Sequence, residues 1–159
     1  GILATGFAAE TRRDNFLRTW ETVSKVPFFA HLGPAAIADV TQVLRTIDLP
    51  PRTMIIRKDT NGDCMYFVGA GEVEVDLPGR KVKLGEGAFF GEMALLEPKR
   101  SADVVADMSA TAYEVSIADF ERFREQHPRA GERIMRNLAQ ILAERLIVAN
   151  AKVDLLTSG

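Results

Sequence analysis

FFGEMALLEPKRSADV, residues Phe89 to Val104, joins a glycine at a strand end, a carboxylate, a short apolar run and an arginine followed by two small residues. Its approach, KLGEGAFFGE, places Gly85, Gly87 and Gly91 within a few positions, so the backbone there can turn sharply and come close to a ligand. From Glu92 to Leu96 there is room for about one helical turn, whose first N–H groups have no partner inside it. Such an end attracts an anion through its free donors and aligned peptide dipoles. Arg100 follows the turn and can close on the same spot with a bidentate, charge-assisted contact to a phosphate. Glu92, acceptor-only when ionised, suits a sugar hydroxyl instead. An anion cradle beside a hydroxyl acceptor describes a ribose phosphate site. The plainer alternative is a tight turn in which Arg100 pairs with Glu97 at the surface.

Around this stretch, residues 46–116 read as strands. Seven of the twelve glycines lie between Gly62 and Gly91, and there the apolar period drops to two. Val73, Val75 and Leu77 alternate with Glu72, Glu74 and Asp76, the pattern of a half-buried strand with a charged outer face. Short segments TIDL, TMIIR, CMYFVGA, EVEVD, KVKL, the glycine-rich stretch, DVVA and ATAYEVS follow one another, separated by Pro50-Pro51, Asn61-Gly62-Asp63, Pro78-Gly79 and Gly85-Glu86-Gly87. About eight short strands at this spacing predict an antiparallel β-roll or jelly roll.

Helices flank the roll, which makes the fold class α+β. Ala9 to Lys25 carries Phe16, Leu17, Trp20 and Val23 on one stripe, with Arg12, Arg13 and Glu21 elsewhere, as in an amphipathic helix. Pro27 breaks it. A second helix runs from the Gly33-Pro34 start signal to about Arg45, with Ile37, Val40 and Leu44 inward. After the strands, Ile117 to about Gln126 and then about Arg129 to Val148 form a C-terminal pair, with Phe120, Phe123, Ile134, Leu138, Ile141 and Leu142 as their apolar faces. The last residues, 151–159, are expected to fray. Gly1 to Phe7, GILATGF, is small and apolar like the cut end of a hydrophobic helix, and a first residue other than methionine is expected of a fragment.

Composition narrows the function. A formal net charge of −2 gives no basic field for nucleic acid or an anionic surface. The single Cys64 excludes an internal disulfide and fits a reducing compartment; within CMYFV it reads as a small hydrophobe rather than a reactive thiol. The two histidines, His31 and His127, flank the strands and do not make the clustered set of a metal-dependent cupin. No nucleophile–base set is evident, so neither a catalytic nor a metal-binding residue is assigned, and no cofactor is expected.

The central stretch resembles the phosphate-binding cassette of cyclic-nucleotide-binding domains, roughly F-G-E-apolar-A-L, then P-R-(S/T/A)-A. The matching residues are Phe90, Gly91, Glu92, Met93, Ala94 and Leu95, then Arg100, Ser101 and Ala102. GDCMYFVGAGEVEV is similar to a second family pattern, and the likeness extends over roughly Pro27 to Val148. It implies that Glu92 holds the ribose 2′-hydroxyl, that Arg100 pairs with the cyclic phosphate, and that cassette amides complete the cradle. Two departures stand out: the loop from Glu92 to Arg100 is about one residue short, and Lys99 separates Pro98 from Arg100. On the same likeness Val82 and Leu84 are candidate walls for the base, and Ile141, with Gln140 or Arg145, is the candidate contact from a C-terminal lid helix. Ser101 can bond the phosphate or a guanine amino group; the expected ligand is cyclic AMP, with cyclic GMP as the alternative.

The front end, GILATGF with RRDNFLRTW, VPFF and HLGP, resembles the segment after the pore in bacterial cyclic-nucleotide-gated potassium channels. That implies the end of a pore helix plus a helical linker over residues 1–26, the binding domain over 27–150, and a tail over 151–159. It further implies a cytoplasmic domain of an inner-membrane protein, a pore domain of its own as partner, and a homotetramer in the full-length protein. The rivals are the ligand-binding half of a catabolite-activator-like transcription regulator, although no basic recognition helix follows, and a degenerate, non-binding assembly module.

Overall fold

Two burial patterns in the sequence explain the layers of the molecule. EVEVD alternates because only one face of its strand is covered, whereas CMYFV is continuously apolar because both faces are. In the computed structural model the backbone is described for residues 2–158 and the side chains for residues 13–147 except residue 15. Helix α1 spans Ile2–Lys25 and α2 spans Pro34–Val43, with a 3₁₀ turn at Pro27–Phe29 between them. Then come β1 (Arg45–Leu49), β2 (Thr53–Ile56), β3 (Cys64–Ala70), β4 (Val73–Leu77), β5 (Arg80–Leu84) and β6 (Phe89–Phe90). After a 3₁₀ turn at Glu92–Leu95 follow β7 (Asp103–Ala106), β8 (Ala110–Ser116), α3 (Ile117–Gln126) and α4 (Pro128–Ser158).

The strands make two antiparallel four-stranded sheets, ordered β1-β8-β3-β6 and β2-β7-β4-β5, so the β-roll with flanking helices is the observed architecture. Alternation along β3 sends Tyr66 and Val68 into the space between the sheets and Met65 and Phe67 outward under the helices. The same split divides Ala112 from Tyr113 on β8 and Phe90 from Phe89 on β6. The outer layer gathers on Phe28, which is fully buried. Its ring centroid lies 5.1 Å from Phe29 and Phe67, 5.2 Å from Phe89 and 6.0 Å from Phe120. Ring pairs at such spacings add to the area they bury.

A buried amide locks α4 onto this cluster. Asn137 Nδ2 donates to Phe28 O at 3.1 Å and to Ala30 O at 2.9 Å, satisfying carbonyls that the short 3₁₀ turn leaves without partners. Ser116 begins α3 as its N-cap, its hydroxyl accepting from Asp119 N at 3.0 Å.

Three expectations need revision. The N-terminal segment is one continuous helix rather than an apolar stub followed by a second element, because an isolated glycine such as Gly6 costs only about 1 kcal/mol and does not break a helix. The segment 151–159 is not frayed throughout: α4 runs to Ser158, since no proline or glycine intervenes after Gly131 and propagation is cheap once a helix exists. Leu17, placed on the inward stripe, is 50% exposed, and Thr19, Val23 and Val26 are the buried residues there. The reading of residues 1–7 as the end of a pore helix lies outside the residues whose side chains are described. No helix among the described residues is long and apolar enough to cross a membrane.

Replacing Asn137 with alanine removes both bonds and leaves a buried carbonyl, Phe28 O, and a half-buried one, Ala30 O, without that partner. It should lower stability by about 1–3 kcal/mol, read as a lower urea midpoint with an unchanged slope. An unchanged midpoint would show that the amide does not hold α4 in place.

Candidate functional site

A cavity of about 690 Å³ opens beside β6, with β4 and β5 as one wall, the loop from Gly91 to Ala102 as its floor and α4 above it. Ten of the candidate residues from the sequence line it: Gly91, Glu92, Met93, Ala94, Arg100, Ser101, Ala102, Val82, Leu84 and Ile141. The apolar wall follows from strand register. Val75 lies opposite Val82 and Leu77 opposite Arg80 across the β4–β5 hairpin, so alternate residues share the cavity face.

The floor depends on one backbone conformation. Gly91 takes φ 77° and ψ 9°, the left-handed region that glycine enters without penalty. It caps a 3₁₀ turn over Glu92–Leu95, tighter than the α-helical turn expected, whose first amides still have no carbonyl behind them. The Glu92 carboxylate has no hydrogen-bond or ion-pair partner among the described residues and lines the cavity.

Arg100 is the unusual group. It is 8% exposed. Its Nη1 donates to Gly91 O at 3.2 Å and its Nη2 to Cys64 O at 2.8 Å. Among the described residues no carboxylate forms an ion pair with it, Glu97 included. The surface Arg100–Glu97 pair is therefore not what forms. Carbonyl oxygens satisfy donors but do not neutralise charge, so a buried guanidinium facing a cavity without a counter-ion favours an anion there. Lys99 also borders the cavity, but its side chain is exposed and its Nζ lies 3.7 Å from Asp59 Oδ1. Lys99 pairs with Asn61 in an isolated bridge, and in extended backbone successive side chains leave on opposite faces. Of the two cations, the arginine is the buried one without a carboxylate partner among the described residues, and the lysine is exposed beside Asp59.

From α4, Ile141, Glu144 and Arg145 reach the cavity, whereas Gln140 is exposed and does not line it. The Arg145 guanidinium carbon sits 4.5 Å above the Phe89 ring centroid, a cation–π contact between helix and β6. Sequence reasoning missed Arg80 and Glu144. Arg80 was legible from the Arg80, Val82, Leu84 alternation, while nothing in the helix period singles out Glu144.

Two groups beside the Arg100 seat titrate abnormally. Burial, then the hydrogen bond from its thiol to Asp63 and the nearby Glu114 charge, push Cys64 up to about 11. Burial and the bond to Glu114 likewise raise the Tyr66 phenol above its ordinary range. Both are neutral at physiological pH. Among the described residues no group of three or more His, Cys, Asp or Glu is arranged to hold a metal ion.

Comparison with known proteins identifies the family. Residues 46–127 match the family model described as the cyclic nucleotide-binding domain. The chain is 51% identical over 138 residues to a protein named Glutaminase 1 from Bradyrhizobium diazoefficiens, covering 86% of this chain and 22% of that protein. It is 44% identical over 134 residues to a cyclic nucleotide-gated potassium channel of Mesorhizobium japonicum, covering 83% of this chain and 37% of the channel. Among solved structures, a cyclic nucleotide-binding domain from Methylobacillus flagellatus superposes with a TM-score of 0.73 at 23% identity, covering 86% of this chain and 81% of that one. The chain thus spans between about a fifth and two fifths of the length of these two curated relatives.

The raised Cys64 and Tyr66 values fix the sign of a pH effect. A group whose folded value lies above its unfolded one contributes stability that is complete below the unfolded value and lost as pH rises. The Cys64 contribution should be intact below pH 9 and fade toward about 11. Thermal midpoints measured between pH 7 and 11 should fall, and Cys64→Ser should flatten part of that fall. An identical profile in the variant would contradict the assignment.

Proposed function

Because the chain belongs to the cyclic nucleotide-binding domain family, we propose that it is the ligand-sensing part of a larger protein and that its ligand is cyclic AMP. The observation that carries this is the buried Arg100, which lines the cavity and has no carboxylate partner among the described residues. In this reading Arg100 takes the cyclic phosphate as counter-ion, the amides at the start of the Glu92–Leu95 turn complete the cradle, and Glu92 accepts from the ribose 2′-hydroxyl. Val82 and Leu84 face the base from β5, and Ile141 with Arg145 meets it from α4. Val82 and Leu84 offer the base an apolar wall that does not distinguish adenine from guanine, and Ser101 can bond either the phosphate or a guanine amino group, so cyclic GMP is the alternative ligand.

Signalling follows from linkage. A ligand shifts an output only by the difference in its affinity for two conformations. Phe89 is the packing contact that joins the two parts: two residues before Gly91, its ring meets Phe28 of the helical layer and Arg145 of α4. Ligand capture tightens the cassette, α4 closes over the base, and the helical layer carries the change toward α1. Switching an output from mostly off to mostly on takes about 5 kcal/mol, or about 1.4 kcal/mol from each of four subunits. The output in this reading is a potassium-channel pore in the inner membrane, joined through α1, in a homotetramer with this domain in the cytoplasm.

One observation favours a second output. The relative named Glutaminase 1 is 51% identical over 86% of this chain, so the same sensor can serve a catalytic domain instead of a pore. Potassium flux from liposomes and glutamine hydrolysis, each measured with the full-length protein with and without cyclic AMP, separate the two outputs.

Calorimetric titration of this domain tests the sensor itself. Cyclic AMP should bind at micromolar concentration or tighter, and Arg100→Leu should weaken it by about 2–3 kcal/mol. Glu92→Gln should cost less, and its cost should vanish with a 2′-deoxy ligand. Absence of heat with either cyclic AMP or cyclic GMP from folded protein would sink the reading, and the non-binding assembly module would take its place.

A further inference from the structure

Gly62 lies outside the cassette, on the loop between β2 and β3, and none of the ligand contacts proposed above involves it. We infer that Gly62 is a positioning residue for ligand binding: its missing side chain is the space in which the Arg100 guanidinium is seated. The inference rests on the reading of Arg100 as the phosphate-binding group.

The geometry is specific. A Cβ added to Gly62 would overlap Arg100 Nε and Cζ. Gly62 does not have a positive φ, so its conformation makes no demand for glycine. Only space does. Nor can the loop drift away to make room. Gly62 N donates to Pro98 O at 2.8 Å, Arg100 N to Thr60 O at 2.8 Å and Asp59 N to Arg100 O at 2.9 Å. These three bonds fix the two backbones against each other. The guanidinium is also held by the carbonyls of Gly91 and Cys64, and a Cβ on Gly91 would come within 3.1 Å of Nη1. The guanidinium thus borders two glycines, Gly62 at Nε and Cζ and Gly91 at Nη1.

An added methyl at position 62 therefore has one way to be accommodated: the Arg100 side chain, being long and flexible, swings out. The backbone bonds survive, the fold survives, and the cation leaves the cavity floor. Substituting Gly62 should reproduce the loss of Arg100 without touching Arg100, an effect that a merely structural glycine would not have.

A double-mutant cycle with Gly62→Ala, Arg100→Leu and the combined variant, titrated with cyclic AMP, tests this. Gly62→Ala should weaken binding by about 10- to 100-fold, with a melting temperature near that of the unaltered chain. In the Arg100→Leu background it should cost nothing further. Unchanged affinity in Gly62→Ala, or losses that simply add, would overturn the inference. Ligand-free protein supplies a second readout by ¹⁵N-arginine NMR. The Arg100 Nε–H should exchange slowly with water in the unaltered chain and fast in Gly62→Ala; slow exchange in both would overturn the inference even with ligand set aside. Should Arg100→Leu bind cyclic AMP as well as the unaltered chain, the phosphate reading fails, while the NMR comparison still decides the seating. Should Gly62→Ala not fold, the combined variant, which removes the overlap, must fold; failure of both would show that the backbone and not Arg100 requires glycine.

Discussion

A guanidinium buried with no carboxylate partner among the described residues is the constraint around which this molecule is arranged. Burial of an isolated charge is costly, and a protein normally avoids it by pairing or exposure. Here Arg100 has two carbonyls as acceptors and no carboxylate partner among the described residues. The loop between β2 and β3 is bonded to its backbone, the left-handed Gly91 turns the chain past its head, and the β6–β3 pairing delivers the carbonyl of Cys64 nearby. Each local feature, odd alone, follows from the need to hold one cation still at the edge of a cavity.

The rest of the fold connects that cation to the helices. Phe89 and Phe90 are adjacent, but the strand sends them to opposite layers: Phe90 stacks on Tyr66 between the sheets, with ring centroids 5.1 Å apart, and Phe89 joins the Phe28 cluster beneath the helices. A shift of the short β6 strand therefore has consequences in both layers. Close-packed interiors transmit such shifts because they have little free volume to absorb them. Asn137 ties α4 to the same 3₁₀ turn that holds Phe28, so α4 answers to both its cavity face and its packing face.

The roll was legible because its strands obey the period of two, and each segment read as a strand from TIDL to ATAYEVS is one. The cassette was legible through its glycines and its single well-placed arginine. Lys99 and Arg100 separate only in three dimensions, where Arg100 is buried against two carbonyls and Lys99 stays exposed beside Asp59. Gly62 read as an ordinary turn glycine in Asn61-Gly62-Asp63, since a local pattern holds no trace of a side chain arriving from residue 100. Asn137 was invisible for the opposite reason: apolar periodicity counts hydrophobic positions and passes over a buried amide whose partners lie more than a hundred residues away. The end of α4 was placed too early because a stripe of apolar residues marks where a helix packs rather than where it stops.

The most direct test of the account is a calorimetric comparison of cyclic AMP with adenosine on the unaltered domain. The two ligands share the base and the 2′-hydroxyl, and only cyclic AMP brings the anion. If Arg100 waits for a counter-ion, adenosine should bind at least about tenfold more weakly, in line with loss of a charge-assisted contact in a site shielded from water. Equal affinity for the two would contradict the account, since the buried guanidinium would then contribute nothing to holding the ligand.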